Sequence, residues 1–358
     1  MKKIILVFLV FSLSFSFVQA QVLKGIVTSQ ETSSPLESVE VYFNNTTIGV
    51  LTNVKGEFEI PYNKNLKTPL IVSYLGYEKF YLQSYKPGIV YNIELEEEVS
   101  SLEEVVIYSK DKWTRKAKLK YFKDQFLGKT LNGKSCVILN EDDIRLRFIE
   151  SSMELVASTS EPIIIENRRL NYLIEYDLQD FTINFVKEDI KRNVLKTEAL
   201  TRDDIVNRNR EEPNSGYIVK SVFFNGIAFF KDIQECDKKI LKRRLRAYEG
   251  SSLHFLRSLS EGRLVKENFQ IYRNERLIKV EEHIMVDFIE NENLKEITLD
   301  DSFYIKYKKR ELSFIQPLLK SFKIDLMGNY TPVDSIVFGG RMSDERLGDT
   351  LPLDYILD

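Results

Sequence analysis

Residues 22 to 95 alternate apolar and polar side chains in short runs. Val39, Val41 and Phe43 alternate with Glu40, Tyr42 and Asn44, Phe58 and Ile60 with Glu57 and Glu59, and Ile89, Tyr91, Ile93 and Leu95 with Val90, Asn92 and Glu94. A period of two is that of half-buried β-strands. Between the runs lie Ser33-Ser34-Pro35, Asn53-Val54-Lys55-Gly56, Asn63-Lys64-Asn65 and Lys86-Pro87-Gly88, which supply Gly, Pro or Asn where a turn needs a fixed or positive φ. About seven short strands in this stretch predict a small β-sandwich.

From Asp111 to Leu127 the period changes. Trp113, Ala117, Leu119, Phe122 and Phe126 fall near helical spacing, and Gly128 is a natural stop. Strand patterns return at 144–148, 170–185 and 217–230, the last with Gly226 at an expected turn. No βαβ rhythm separates them, so the sheet should be antiparallel. A helix is expected from Glu235 to Tyr248 with Leu241, Leu245 and Tyr248 on one face, and Ser251-Ser252 should cap a second carrying Leu253, Phe255, Leu256 and Leu259. Later strands are clearest at 277–289, 302–307 and 322–326, and the turn-rich tail from Gly328 should pack over the sheet. The fold class is therefore mainly β: an N-terminal sandwich, then an α+β domain with an antiparallel sheet.

Met1 to Ala20 places Lys2 and Lys3 before an apolar run from Ile4 to Val10 and closes on Val18-Gln19-Ala20, the pattern of a cleaved secretory signal. No later segment approaches the roughly 20 apolar residues of a membrane-spanning helix. The expected organisation is a signal at 1–20, the sandwich at 21–97, a linker or extra strand at 98–110 and the α+β domain at 111–358. The expected location is the periplasm or the outer membrane, held peripherally. The formal charge of −3 becomes about −5 without the signal, which sets aside general nucleic-acid binding, since that needs a basic surface. Cys136 and Cys236 are the two cysteines, read as buried thiols or as a bridge.

One set of motifs resembles a known family. Gly25-Ile26-Val27, Pro35 to Val41, Thr47 to Phe58 and Val72-Ser73-Tyr74-Leu75-Gly76-Tyr77 resemble, in that order, the carboxypeptidase-like regulatory domain, a transthyretin-like β-sandwich found in Bacteroidetes envelope proteins. The resemblance implies an accessory module and transfers no peptidase activity. Asn53, Gly56 and Gly76 read as structural turn residues within it. Glu103-Glu104-Val105-Val106-Ile107 resembles the segment that follows this module in outer-membrane TonB-dependent receptors, but the residues that remain are too few for a plug and a large barrel. Asp111 to Gly128, Tyr248 to Leu259 and Gly340 to Tyr355 resemble uncharacterised Bacteroidetes proteins that carry the same module, which informs architecture alone.

Candidate chemistry is sparse. A zinc carboxypeptidase needs a His and a Glu three apart, yet His254 is followed at that spacing by Arg257 and His283 by Val286. No metal or cofactor is expected, and no Gly-x-Ser-x-Gly elbow frames a serine. Lys238, Lys239, Lys242, Arg243, Arg244 and Arg246 form a basic run, read as a solvated face or as a contact for an anionic head group, lipopolysaccharide or acidic partner. Lys238, Lys239, Lys242, Arg243 and Arg246, with His254 and Arg257, are the candidates for contact with an envelope protein or glycan. The expected function is a non-enzymatic envelope binding or accessory protein; the alternative is an envelope hydrolase centred on His254 and Ser252.

Overall fold

The computed structural model describes residues 21–98, 113–187, 216–290, 292–308 and 311–357. The expected signal at 1–20 and the Glu103 to Ile107 segment lie outside them, as does most of the 98–110 linker. The chain divides into two compact units, one built from residues up to Tyr42, Ile48–Lys64 and Pro69–Glu98, the other from Phe43–Thr47, Asn65–Thr68 and the chain from Val99 onward. The fold is mostly β with few helices.

Seven strands form the N-terminal β module: β1 (Val22–Ser29), β2 (Glu40–Phe43), β3 (Gly49–Leu51), β4 (Glu57–Pro61), β5 (Leu70–Ser73), β6 (Phe80–Leu82) and β7 (Val90–Leu95). They make two sheets, ordered β4-β1-β7 and β3-β2-β5-β6. β1 runs antiparallel to β4 and parallel to β7. Leu23, Val27, Phe58, Ile60, Ile93 and Leu95 are buried while their chain neighbours face out, as the period of two predicts. Ile89 does not join that pattern, because β7 starts one residue later and leaves it exposed.

Two glycines are required by geometry. Gly56 has a φ of 74° and donates to Asn53 O at 2.8 Å, while the Asn53 side chain accepts from the amides of Lys55 and Glu57. A Cβ on Gly56 would stand 2.3 Å from Val27 O, so this turn admits no side chain. Gly76 also has a positive φ, 80°, and turns the chain so that Tyr77 N reaches Tyr74 O.

In the second unit the first layer is a six-stranded sheet. Its strands are β8 (Cys136–Ile138), β9 (Arg145–Ile149), β10 (Glu154–Ser158), β11 (Ile163–Asn167), β12 (Tyr172–Lys187) and β13 (Tyr217–Asp232). β12 and β13 pair antiparallel along most of their 16 residues each, with register shifts at Leu178/Asp180 and Asn184/Phe185. Gly226 is thus not a turn. It sits inside β13 opposite Leu178, where a Cβ would come 2.3 Å from Asp177 O. Helix α1 (Arg115–Phe126), capped by the Thr114 side chain, lays Phe122 and Phe126 on this sheet. Trp113 stacks on Phe148 with centroids 4.2 Å apart.

Helices α2 (Lys238–Tyr248) and α3 (Ser252–Ser260) lead to the second layer. One sheet there is ordered β15-β14-β18-β19-β22, from β14 (Phe269–Arg273), β15 (Arg276–Leu277), β18 (Phe303–Tyr307), β19 (Glu311–Pro317) and β22 (Ile336–Gly340); another is ordered β16-β17-β20-β21, from β16 (Ile284–Ile289), β17 (Leu294–Leu299), β20 (Ser321–Ile324) and β21 (Tyr330–Thr331). The strand expected over 277–289 is broken by a short 3-10 turn at Val280–Glu282, and its halves join different sheets. Phe255, Leu256 and Leu259 of α3 fill the core with Phe269, Phe303 and Phe322. The tail contributes β21 and β22 before burying Leu347, Leu351 and Leu353.

Candidate functional site

The residues singled out for contact or chemistry divide between α2 and α3. α2 starts at Asp237, whose carboxylate accepts from Ile240 N at 2.7 Å. Its buried residues are Ile240, Arg244 and Tyr248, four apart, and not the expected Leu241 and Leu245, which are 36% and 40% exposed. The cause is Arg244. Its guanidinium lies 3.7 Å from the ring centre of Tyr172, donates to Leu170 O at 2.8 Å and Asn171 O at 3.3 Å, and meets the Asp232 carboxylate. Arginine can satisfy several carbonyls while stacking on an aromatic face, so the helix turns that edge inward.

The other cations point out. Lys238, Lys239, Lys242 and Arg246 are exposed, and among the described residues none has an ion pair or side-chain hydrogen bond. Arg243 is half-buried and reaches Arg169 O at 3.4 Å. At 100° per residue, Lys238, Lys242, Arg246 and Lys239 follow one another around the outer side, and Leu245 and Leu241 lie between them and the buried residues, so the open face is a cationic stripe with two part-exposed leucines along one edge.

α3 differs at every polar position. Ser251 caps it by accepting from His254 N at 3.1 Å. His254 is 4% exposed: its Nδ1 accepts from Gly250 N at 3.1 Å, its Nε2 lies 3.6 Å from the Glu267 carboxylate, and the rings of Tyr248, Phe269 and Tyr307 surround it. Burial lowers its pKa, against the opposing pull of Glu267. Ser252 faces elsewhere, donating its hydroxyl at 2.8 Å and its amide at 3.1 Å to Glu345. A serine nucleophile needs its base within hydrogen-bond reach, so the His254/Ser252 constellation is not assembled.

Arg257 is buried as well. It donates to Met327 O at 2.9 Å, Tyr355 O at 2.8 Å and Leu353 O at 2.7 Å, fastening the tail to α3. His254 and Arg257, expected as partner contacts, are therefore internal, because backbone groups and the Glu267 carboxylate take their polar atoms. Of the residues expected to make contacts, Lys238, Lys239, Lys242 and Arg246 are exposed and Arg243 is half-buried.

Two carboxylates that the sequence did not single out are held nearby. Burial raises Glu345 to about 7 against its two bonds from Ser252, and raises Asp325 to about 6 although it accepts from the amides of Lys67, Met327 and Asn329. Asp325 precedes Gly328 in a turn-forming run, a local signal; nothing local marks Glu345. Cys136 and Cys236 are free thiols, and burial, aided by Asp349, pushes Cys136 up to about 12. Among the described residues, no group of three His, Cys, Asp or Glu could hold a metal, and no helix is long and apolar enough to cross a membrane.

No curated protein matches the chain. A crystal structure of a Bacteroides fragilis protein, described as a putative membrane-associated protein of unknown function, is similar at 9% identity over 89% of this chain and 94% of that one, with a TM-score of 0.17. The motifs around Gly56 and Phe58 fall in residues 23–107, which match the family model of the CarboxypepD_reg-like domain.

Proposed function

We propose that the chain is a non-catalytic accessory protein of the cell envelope, exported by its N-terminal signal and held at an anionic surface, such as the phosphates of lipopolysaccharide, through α2. A CarboxypepD_reg-like domain is regulatory rather than catalytic, which supports the accessory part of this reading. The observation that carries the rest is the outward face of α2, where four cations without acidic partners among the described residues form a stripe edged by two part-exposed leucines. Each such cation contributes about 1 kcal/mol beside an anionic membrane surface, and partial burial of the leucines adds an apolar component. The hydrolase reading has no comparable support, since its serine and histidine are bound to different carboxylates.

The test is co-sedimentation of the purified full chain with vesicles containing lipopolysaccharide, against vesicles of phosphatidylcholine alone. The wild type is expected to pellet with the first and not the second, less so as salt rises. The Lys238→Glu, Lys242→Glu, Arg246→Glu variant is expected to stay in solution. Equal pelleting of wild type and variant would refute the reading, as would a hydrolysed envelope product whose formation is lost in His254→Ala.

A further inference from the structure

β16 is an edge strand: it pairs with β17 from Ile284↔Leu299 to Ile289↔Leu294, and its other side carries no strand among the described residues. Edge strands are normally blunted by shortness, proline, a bulge or a lysine. β16 has six residues, Ile-Met-Val-Asp-Phe-Ile, in unbroken register, with no proline, bulge or lysine and Asp287 as its one charge. Met285 and Phe288 are 57% and 61% exposed.

A cavity of about 470 Å³ follows this side. Ile284, Met285, Val286 and Asp287 all line it, facing Leu259, Gly262, Leu264 and Val265. Side chains of consecutive strand residues point to opposite faces, so what four in a row share with one cavity is the strand's open edge. The far wall is apolar, with Val265 exposed.

The charges choose the occupant. Asp287 lies directly across from Glu296 in the β16–β17 register, while the cation in that row, Lys323, stands on the far side of Glu296 in β20, so Asp287 at the edge faces a like charge and has no cation beside it. Glu281 also lines the cavity, and neither Asp287 nor Glu281 has an ion pair among the described residues. A strand laid along β16 would set one of its side chains beside Asp287, and a lysine or arginine there relieves the repulsion. A second copy paired through the same edge would add further Asp287 and Glu281 carboxylates to the cluster, which disfavours self-association.

We propose that the open edge of β16 is a strand-addition site for an extended peptide of alternating apolar and basic residues, its apolar side chains over Leu264 and Val265 and a cation beside Asp287. This site is independent of α2 and survives if the anionic-surface reading fails.

The test uses the full chain and a glycine-flanked octapeptide of alternating valine and lysine, with a valine–glutamate counterpart and a lysine peptide N-methylated at alternate amides, by fluorescence anisotropy. The lysine peptide is expected to bind about five-fold more tightly than the glutamate one, the scale of a cross-strand charge pair, and Asp287→Lys to reverse that order. Methylation of the edge-facing amides should abolish binding, because strand addition rests on main-chain hydrogen bonds. Val265→Glu, altering the far wall alone, should weaken the uncharged contacts in a chain whose β16 is intact. Equal affinity for the two charged peptides, undiminished binding of the methylated one, no binding of any, or dimerisation of the free chain through β16 would each overturn the proposal.

Discussion

α2 and α3 are three residues apart and use their cations in opposite ways. In α2, Lys238, Lys239, Lys242 and Arg246 stand in solvent and Arg244 alone goes in; in α3, the single cation Arg257 is buried with His254. The difference follows the nearby backbone. Arg244 and Arg257 each meet main-chain carbonyls from distant segments, Leu170 and Asn171 for one, Met327, Leu353 and Tyr355 for the other. Such carbonyls need donors when buried, and a planar guanidinium supplies several at once, whereas a lysine ammonium keeps its water. In these two helices, the arginines that meet main-chain carbonyls from distant segments are the ones that go inside.

The largest test of that contrast is Arg257→Met. It leaves the buried Leu353 carbonyl and the part-buried Met327 and Tyr355 carbonyls without their donor, and urea unfolding should report a loss of about 4 kcal/mol. Lys242→Met in the neighbouring helix should change stability by no more than about 0.5 kcal/mol; similar losses in both would erase the distinction. Arg244→Met sharpens it within one helix, with an expected loss of about 2 kcal/mol, since two carbonyls and the Tyr172 stacking partner are affected. An Arg244→Met variant as stable as Lys242→Met would mean the inward turn of α2 is driven by something else.

A smaller effect is read by pH at the start of α3. Glu345 has a folded pKa of about 7, above its ordinary 4.5, so the fold prefers it protonated. Stability from this group is gained as pH falls through about 7 and is complete below about 4.5. Between pH 8 and pH 6 the wild type should therefore gain about 1 kcal/mol that Glu345→Gln does not. His254 runs the other way, its lowered pKa removing stability as pH drops below its ordinary 6.5, so the difference between wild type and Glu345→Gln is the quantity to measure. A difference that does not change across this range would contradict the buried position of Glu345.

Local features were legible in the sequence and distant ones were not. The β1, β4 and β7 alternation, the Asn53 to Gly56 turn and the Ser251 cap all arise from residues within a few positions of one another. The inward face of α2 depends on carbonyls near Leu170, more than sixty residues upstream, so leucines at helical spacing pointed to the wrong side. The same holds for His254 and Ser252: adjacent in sequence on one helix, they are claimed by Glu267 and Glu345 from elsewhere. Gly226 read as a turn because strand pairing that tolerates no Cβ, here opposite Asp177 O, looks identical in sequence to chain reversal.

On the proposed function, α2 and not α3 is the face the protein presents to its surroundings. The most direct measurement is binding of the full chain to lipopolysaccharide-containing vesicles over a salt series, comparing the wild type with Lys238→Glu, Lys242→Glu, Arg246→Glu, with urea unfolding of both. The account predicts salt-sensitive binding that falls at least ten-fold in the variant, as losing more than about 1.4 kcal/mol requires, at unchanged stability. Binding that is equal in the two proteins, or insensitive to salt, would contradict it.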